Sequence, residues 1–187
     1  MKKMALLFLI LGILSLALSF YFYSRKEKIE LTPDEISKQK GNDFEEYMIQ
    51  LLGKQKEIKF VGKVSDYHKN GISALENFEP DLKFKYKVAP FAVECKWRKS
   101  FGNGSITWAK ERQIRNYNEY QKNKKEKVYI AFGVGGEPSK PDHLYLIPLS
   151  VLKYETFKKE YIADFEIKEE AEILKFLQQQ SKFFDRN

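Results

Sequence analysis

The chain lacks the means for several common chemistries. Its 187 residues include one cysteine, Cys95, and two histidines, His68 and His143. One cysteine cannot form an internal disulfide or a zinc site built on paired thiolates. Two histidines cannot make a three-histidine metal centre, so any bound metal would be a hard cation on carboxylate oxygens. Six prolines and ten glycines form no long flexible linker, and there is no internal repeat or low-complexity tract. Global disorder is excluded as well. The chain is 43% apolar and 15% aromatic, enough to bury a core in one domain.

Charge is plentiful but uneven. The whole chain carries 33 basic and 26 acidic residues, a net of +7. Between Leu82 and Lys127 there are 13 Lys/Arg against 4 Asp/Glu, and the remainder is slightly acidic. All the excess lies in that middle segment, which suits a polyanion or, more simply, forms a solvated basic face.

Met4 to Tyr23 is an uncharged run of twenty residues rich in Leu, Ile, Phe and Ala. As a helix it matches the hydrocarbon thickness of a bilayer. Lys2 and Lys3 precede it, Arg25, Lys26 and Lys28 follow it, and Tyr21 and Tyr23 sit where aromatic belts form. A cleavable signal is the rival, with Ala17-Leu18-Ser19 as the processing site. The length of the run, continued by bulky Phe20 to Tyr23, favours an uncleaved anchor. The basic residues after the span favour a cytoplasmic C-terminal domain. The expected organisation is a transmembrane anchor over 1–24, a connector and start of the first helix over 25–40, and one domain over 41–187.

Thr32-Pro33-Asp34-Glu35 reads as a capped helix start. Phe44, Tyr47, Met48, Leu51 and Leu52 follow as one apolar stripe, with Gly41 a potential break. Strands are expected over 58–64, 81–88 and 91–97, the last two as a hairpin turning at Val88-Ala89-Pro90. On 81–88, Leu82, Phe84, Tyr86 and Val88 would face one way. On 91–97, Glu94 and Lys96 share the polar face. A helix over 107–124, strands over 127–134 and 144–147 and a final helix over 168–184 complete an α/β (α+β) sandwich on a mixed sheet. That hairpin brings Asp81 opposite the neighbourhood of Lys96, so Asp81, Glu94 and Lys96 converge. Two carboxylates and an amine suit Mg²⁺-assisted phosphodiester hydrolysis; polar-x-polar on a solvated face is the plain alternative.

Pro80-Asp81, twelve residues, then Glu94-Cys95-Lys96 resembles the PD-(D/E)xK nuclease signature, found in restriction endonucleases, Holliday-junction resolvases and repair nucleases. Gly41-Asn42-Asp43-Phe44-Glu45 is similar to the G-x-x-F-E opening of the Mrr-type branch. Gln113 to Tyr117 looks like the Q-x-x-x-Y element of some branches. The resemblance implies a restriction-endonuclease-like core with an α-β-β-β-α-β order. It further implies an Mg²⁺- or Mn²⁺-dependent hydrolase acting on DNA, of endonuclease type. By the match, Asp81, Glu94 and the Cys95 carbonyl hold the metal and Lys96 orients water and stabilises charge. Glu45 is an auxiliary acidic residue, with Glu46 its substitute if the helix is rotated. Gln113 and Tyr117 support the substrate or the site.

Arg112 and Arg115, with Arg98, Lys99 and Lys110, are expected to contact DNA phosphates. Trp97, Trp108, Tyr117 and Tyr120 read as core more than as base-stacking groups, Cys95 as a core thiol, and both histidines as loop or surface residues. Gly102-Asn103-Gly104 reads as a loop. The lipid bilayer, through residues 4–23, is the other expected partner, and a dimer is compatible with the sequence. Two rivals remain: a catalytically inactive nuclease-fold module binding nucleic acid or a protein at the membrane, and an exported protein whose basic face meets anionic lipid or cell-wall polymer.

Overall fold

The computed structural model describes residues 2–24, 31–64 and 79–182. His68, most of the polar segment 65–79, the basic residues after the apolar run and the last residues expected in the final helix lie outside them. The chain divides into two units, Met1–Ile36 and Ser37–Asn187.

In the first unit, α1 (Lys2–Ser24) is one helix of 23 residues. Phe8, Leu9, Leu16 and Phe20 each expose more than half of their surface. Among the described residues no helix is long and apolar enough to cross a membrane, so the structure does not support the expected span over 4–23. Helix α2 (Pro33–Gly53) starts as its sequence implies. The Thr32 N–H and hydroxyl both donate to Glu35 Oε2 at 2.8 Å, and the Glu35 N–H returns a bond to the Thr32 hydroxyl at 3.3 Å. Gly41 does not break it.

The second unit is a five-stranded sheet between helices. Its strands are β1 (Ile58–Lys63), β2 (Leu82–Tyr86), β3 (Ala89–Arg98), β5 (Lys127–Val134) and β6 (His143–Pro148), side by side in the order β1-β2-β3-β5-β6. Only β3 and β5 run parallel, and α3 (Glu111–Lys124) joins them as the crossover that parallel pairing requires. Alternation along β5 fills two cores. Val128, Ile130, Phe132 and Val134 pack with Ile114, Tyr117 and Tyr120 of α3. Tyr129 and Ala131 pack with Phe44, Met48 and Leu52 of α2 and with Ile173 and Leu177 of α4 (Glu170–Lys182). Covered on both faces, β5 is continuously apolar in sequence.

Three expectations need correction. The hairpin turns at Lys87-Val88, one residue early, with Lys85 opposite Pro90 and Tyr86 opposite Ala89. Lys87 makes the reversal at φ 52°. Pro90 sits inside β3 before pairing with β5 begins at Phe91, so it removes no bond on that side. Val88, expected inward, is a turn residue 89% exposed. The second core helix starts at Glu111 rather than 107, because Ser105–Thr107 forms β4, paired with β7 (Thr156–Lys158) in a separate ribbon. A 3₁₀ segment, Lys159–Phe165, follows β7.

Gly133 is where α2 meets the sheet most closely. A Cβ there would lie 2.6 Å from the Phe44 ring and 3.1 Å from Trp97. Gly133→Ala should therefore lower stability by about 1–3 kcal/mol, the usual cost of overpacking, measured by denaturant titration. An unchanged midpoint would show that Phe44 has room to move.

Candidate active site

The site is built where β2 stops and β3 continues. Leu82 opposite Val93 is the last pair of that hairpin ladder, so Glu94 to Arg98 have no strand partner on the β2 side. The Cys95 N–H in that gap donates instead to Asp81 Oδ2 at 2.8 Å. A strand residue projects its N–H and C=O to the same side, so the Cys95 carbonyl faces the gap as well. Asp81 is also fixed through its main chain, whose carbonyl accepts from the Val64 N–H at 2.8 Å.

Glu94 and Lys96 lie with Ala92 on the α3 side of the sheet. Glu94 is only 2% exposed, and the Lys96 ammonium pairs with Glu94 Oε1. The sequence places both on the polar face of the strand, with a solvated face as the plain alternative. The structure buries them because α3 covers that face, and Tyr117, 5% exposed, packs there. Burial first, then the Glu94 carboxylate, pushes the Tyr117 phenol far above its ordinary value. Burial and the Glu94 charge likewise lift the Asp81 carboxyl well above the usual Asp range, against the pull of Lys96. For Lys96, burial disfavours the ammonium, but Glu94 and Asp81 more than offset it and the pKa is raised.

Of the two candidates on α2, Glu45 turns inward and Glu46 outward. Glu46 is exposed and accepts from the Gln50 amide at 3.4 Å. Glu45 is paired with Lys63 at 2.6 Å, its side chain 13% exposed, and its charge reaches Asp81. Among the described residues no group of three or more His, Cys, Asp or Glu could hold a metal ion. The oxygen donors gathered at the open edge of β3 are the Asp81 and Glu94 carboxylates and the Cys95 carbonyl. They fit a hard divalent cation, which commonly takes one or two carboxylates and completes its shell with water. Glu94 Oε2 is buried and makes no hydrogen bond of normal geometry, although the Tyr117 phenol faces that carboxylate. Two like-charged carboxylates held close in a buried site are what such an ion relieves.

Gln113 does not share Tyr117's role. Its amide oxygen accepts from the Lys110 N–H at 3.1 Å and closes the first turn of α3. Arg112 and Arg115 are exposed on α3, and Lys99 and Lys110, which precede it, are exposed as well. Arg98 is partly buried and donates to the carbonyls of Trp97 at 2.9 Å and Thr107 at 3.5 Å. Trp108 and Tyr120 are core residues, as the sequence indicates. Trp97 donates to the Gly135 carbonyl at 3.1 Å. Cys95 packs partly buried against the α2-side core, and burial, then Asp81, pushes its thiol well up. His143 is partly exposed and contacts Glu166 at 2.6 Å.

Three contributors carry no readable sequence signal. Glu155 caps α3 from 44 residues away, accepting from the Glu111 N–H at 2.6 Å. Lys63 meets Glu45. Lys83 pairs with Glu79 at 3.2 Å and lies 3.8 Å from the centre of the Tyr120 ring.

No family model matches the chain, and no curated protein does. Among solved structures it is similar to Hjc of Archaeoglobus fulgidus, a Holliday junction resolvase from an archaeal hyperthermophile. The TM-score is 0.51 at 13% identity, covering 66% of this chain and 92% of Hjc. At that identity the likeness shows the fold. The described core of the chain is folded like that of Hjc. The narrower Mrr-type resemblance rests on sequence alone.

Asp81 gives a test of this electrostatic arrangement. A carboxyl whose folded pKa is raised contributes full stability below its ordinary value and loses it as pH rises through the folded value. Asp81→Asn keeps an acceptor for the Cys95 N–H and removes the charge. It should raise the melting temperature of the metal-free protein at pH 8, with the gain fading toward pH 4. Equal melting temperatures at pH 8 would mean that neither burial nor Glu94 disfavours the Asp81 charge.

Proposed function

We propose that the chain is a membrane-anchored, divalent-cation-dependent nuclease that cleaves DNA phosphodiester bonds as an endonuclease. The observation that carries this is the convergence of Asp81, Glu94 and Lys96 at the edge of β3 that β2 leaves open, on a fold like that of a resolvase. Asp81, Glu94 and the Cys95 carbonyl would hold Mg²⁺ or Mn²⁺, which supplies Lewis-acid polarisation of the phosphodiester and a water of lowered pKa. Lys96 orients that water and counters charge developing on the phosphate oxygens. Tyr117 walls off Glu94, and Glu45 is an auxiliary acidic group. Gln113 fixes the first turn of the helix that carries Tyr117. Arg112 and Arg115 meet DNA phosphates, positioning the duplex without reading its sequence. Hjc, as a Holliday junction resolvase, makes branched DNA a substrate to include.

The experiment is cleavage of linear, circular and branched DNA by the full chain in detergent, with Mg²⁺, Mn²⁺ or EDTA. Cleavage should need the cation. Glu94→Gln should abolish it and weaken cation binding in calorimetry. Lys96→Arg keeps a partner for Glu94 and should lower the rate by about 10²–10³-fold. Lys96→Ala is the poorer variant, since stranding a buried carboxylate costs up to about 3–5 kcal/mol. Replacing Arg112 and Arg115 by Ala should flatten the salt dependence of DNA binding by about one logarithmic unit per residue. If the wild type binds no cation and cuts no DNA form, a nucleic-acid- or protein-binding module on the nuclease fold becomes the better account.

Support for the anchor is the uncharged run Met4–Tyr23 and the outward apolar side chains of α1. The nuclease domain then faces the cytoplasm. The chain should pellet with membranes after alkaline carbonate washing, and deletion of 2–24 should release it. A mature protein beginning near Phe20 would instead indicate export after signal cleavage.

A further inference from the structure

The pairing of Lys63 with Glu45 depends on an irregularity in β1. From Ile58 to Phe60 that strand pairs regularly with β2, Phe60 opposite Phe84; the register then shifts, putting Gly62 opposite Lys83 and Lys63 opposite Leu82. Val61 is the extra residue of a β-bulge. Residues directly opposite in antiparallel strands share a sheet face. Leu82 and Phe84 belong to the core under α2, whereas Lys83 reaches Tyr120 on α3. In the unshifted register Lys63 would take the parity of Lys83 and project toward α3. The bulge turns it to the α2 face. There its ammonium lies 2.6 Å from Glu45 Oε2 and 3.5 Å from Asn42 Oδ1, one turn earlier on α2.

Glu45 sits next to Phe44, whose ring rests on Gly133, and its charge acts on Asp81 from the α2 side. Asp81 is tied to the same end of β1, through the residue after Lys63. The strand that holds Asp81 by its main chain therefore also holds Glu45 by a side chain. We propose that Lys63 is a positioning residue for the active site: delivered by the β1 bulge, it fixes the Glu45 carboxylate beside the end of β1 that holds the Asp81 main chain and so tunes the response to the divalent cation. This inference rests on the nuclease reading. Partners that orient a ligating carboxylate are typically worth 10–100-fold in metal affinity or activity.

The test is a double-mutant cycle in the full chain with Lys63→Ala, Lys63→Arg, Glu45→Gln and the Lys63→Ala/Glu45→Gln double variant. Three readouts are needed: single-turnover cleavage against Mg²⁺ concentration, DNA affinity against salt, and melting temperature. Lys63→Ala should lower the rate roughly tenfold at limiting Mg²⁺ and raise the Mg²⁺ concentration for half-maximal rate. Lys63→Arg should restore most of it, and Lys63→Ala should add little once Glu45 is Gln. The salt slope of DNA binding should not change. Additive effects in the double variant overturn the proposal, as does an unshifted Mg²⁺ response. A salt slope reduced by about one unit, with Mg²⁺ response intact, makes Lys63 a phosphate contact instead. If Lys63→Ala fails to fold, the Lys63→Arg and Glu45→Gln arms decide: an Arg variant with the Mg²⁺ response of Glu45→Gln overturns the proposal, and one like the wild type upholds it. A wild type that cuts no DNA with Mg²⁺ or Mn²⁺ overturns the nuclease reading and this inference together, whereas an active wild type with additive variants overturns this inference alone.

Discussion

Unequal strand lengths govern the site. β3 runs ten residues and β2 only five, so the middle of the sheet contains a strand whose last five residues have one free edge. A free edge inside a covered sheet carries main-chain donors and acceptors that must be satisfied without water. Asp81 answers that demand at the Cys95 N–H. A carboxylate, having more lone pairs than one N–H can use, keeps acceptor capacity directed into the same gap. The gap thus selects an acidic residue at 81 for reasons of hydrogen bonding and of chemistry alike.

The second consequence is electrostatic. Because α3 covers the face that bears Glu94, the carboxylate is removed from water, and a buried charge is tolerated only when paired. Lys96, two residues on along the same strand and on the same face, provides that pairing. The pair still leaves Asp81 and Glu94 in conflict: burial first, and then the Glu94 charge, raise the Asp81 carboxyl. An unresolved like-charge conflict in a buried, rigid setting is costly to fold and useful to a cation. The same helix that imposes the cost supplies Tyr117 as the wall, and its first turn is closed by Gln113 and by Glu155.

Much of this was legible in the sequence because it is periodic. The stripe Phe44–Leu52, the alternation of Leu82 to Tyr86 and the apolar run 127–134 each report a buried face, and each became the expected element. Asp81, Glu94 and Lys96 were readable as a set because strand parity and hairpin antisymmetry are local rules. Burial of the polar face was not readable, since alternation alone cannot say whether a helix covers it. The turn was misjudged by one residue because Pro90 looks like a turn former, whereas the left-handed residue is Lys87. β4 and β7 are three residues each, too short to show a period. Lys63 was invisible for a stricter reason. A bulge inverts parity, so any reading that assumes an unbroken period of two puts this side chain on the wrong face.

Precision at Glu45 has its origin in the core rather than in a loop. Phe44 and Glu45 are adjacent on α2 and so project about 100° apart around the helix. The first is fully buried against a glycine of the central strand; the second reaches the charges around Asp81. Any slide or rotation of α2 that moved the carboxylate would also drive the Phe44 ring into the β5 backbone or open a void beneath it, and close-packed interiors resist both. A polar side chain on a surface loop has no such restraint. Phe44, packed on Gly133 of β5, thus sets the angle at which Glu45 projects from α2.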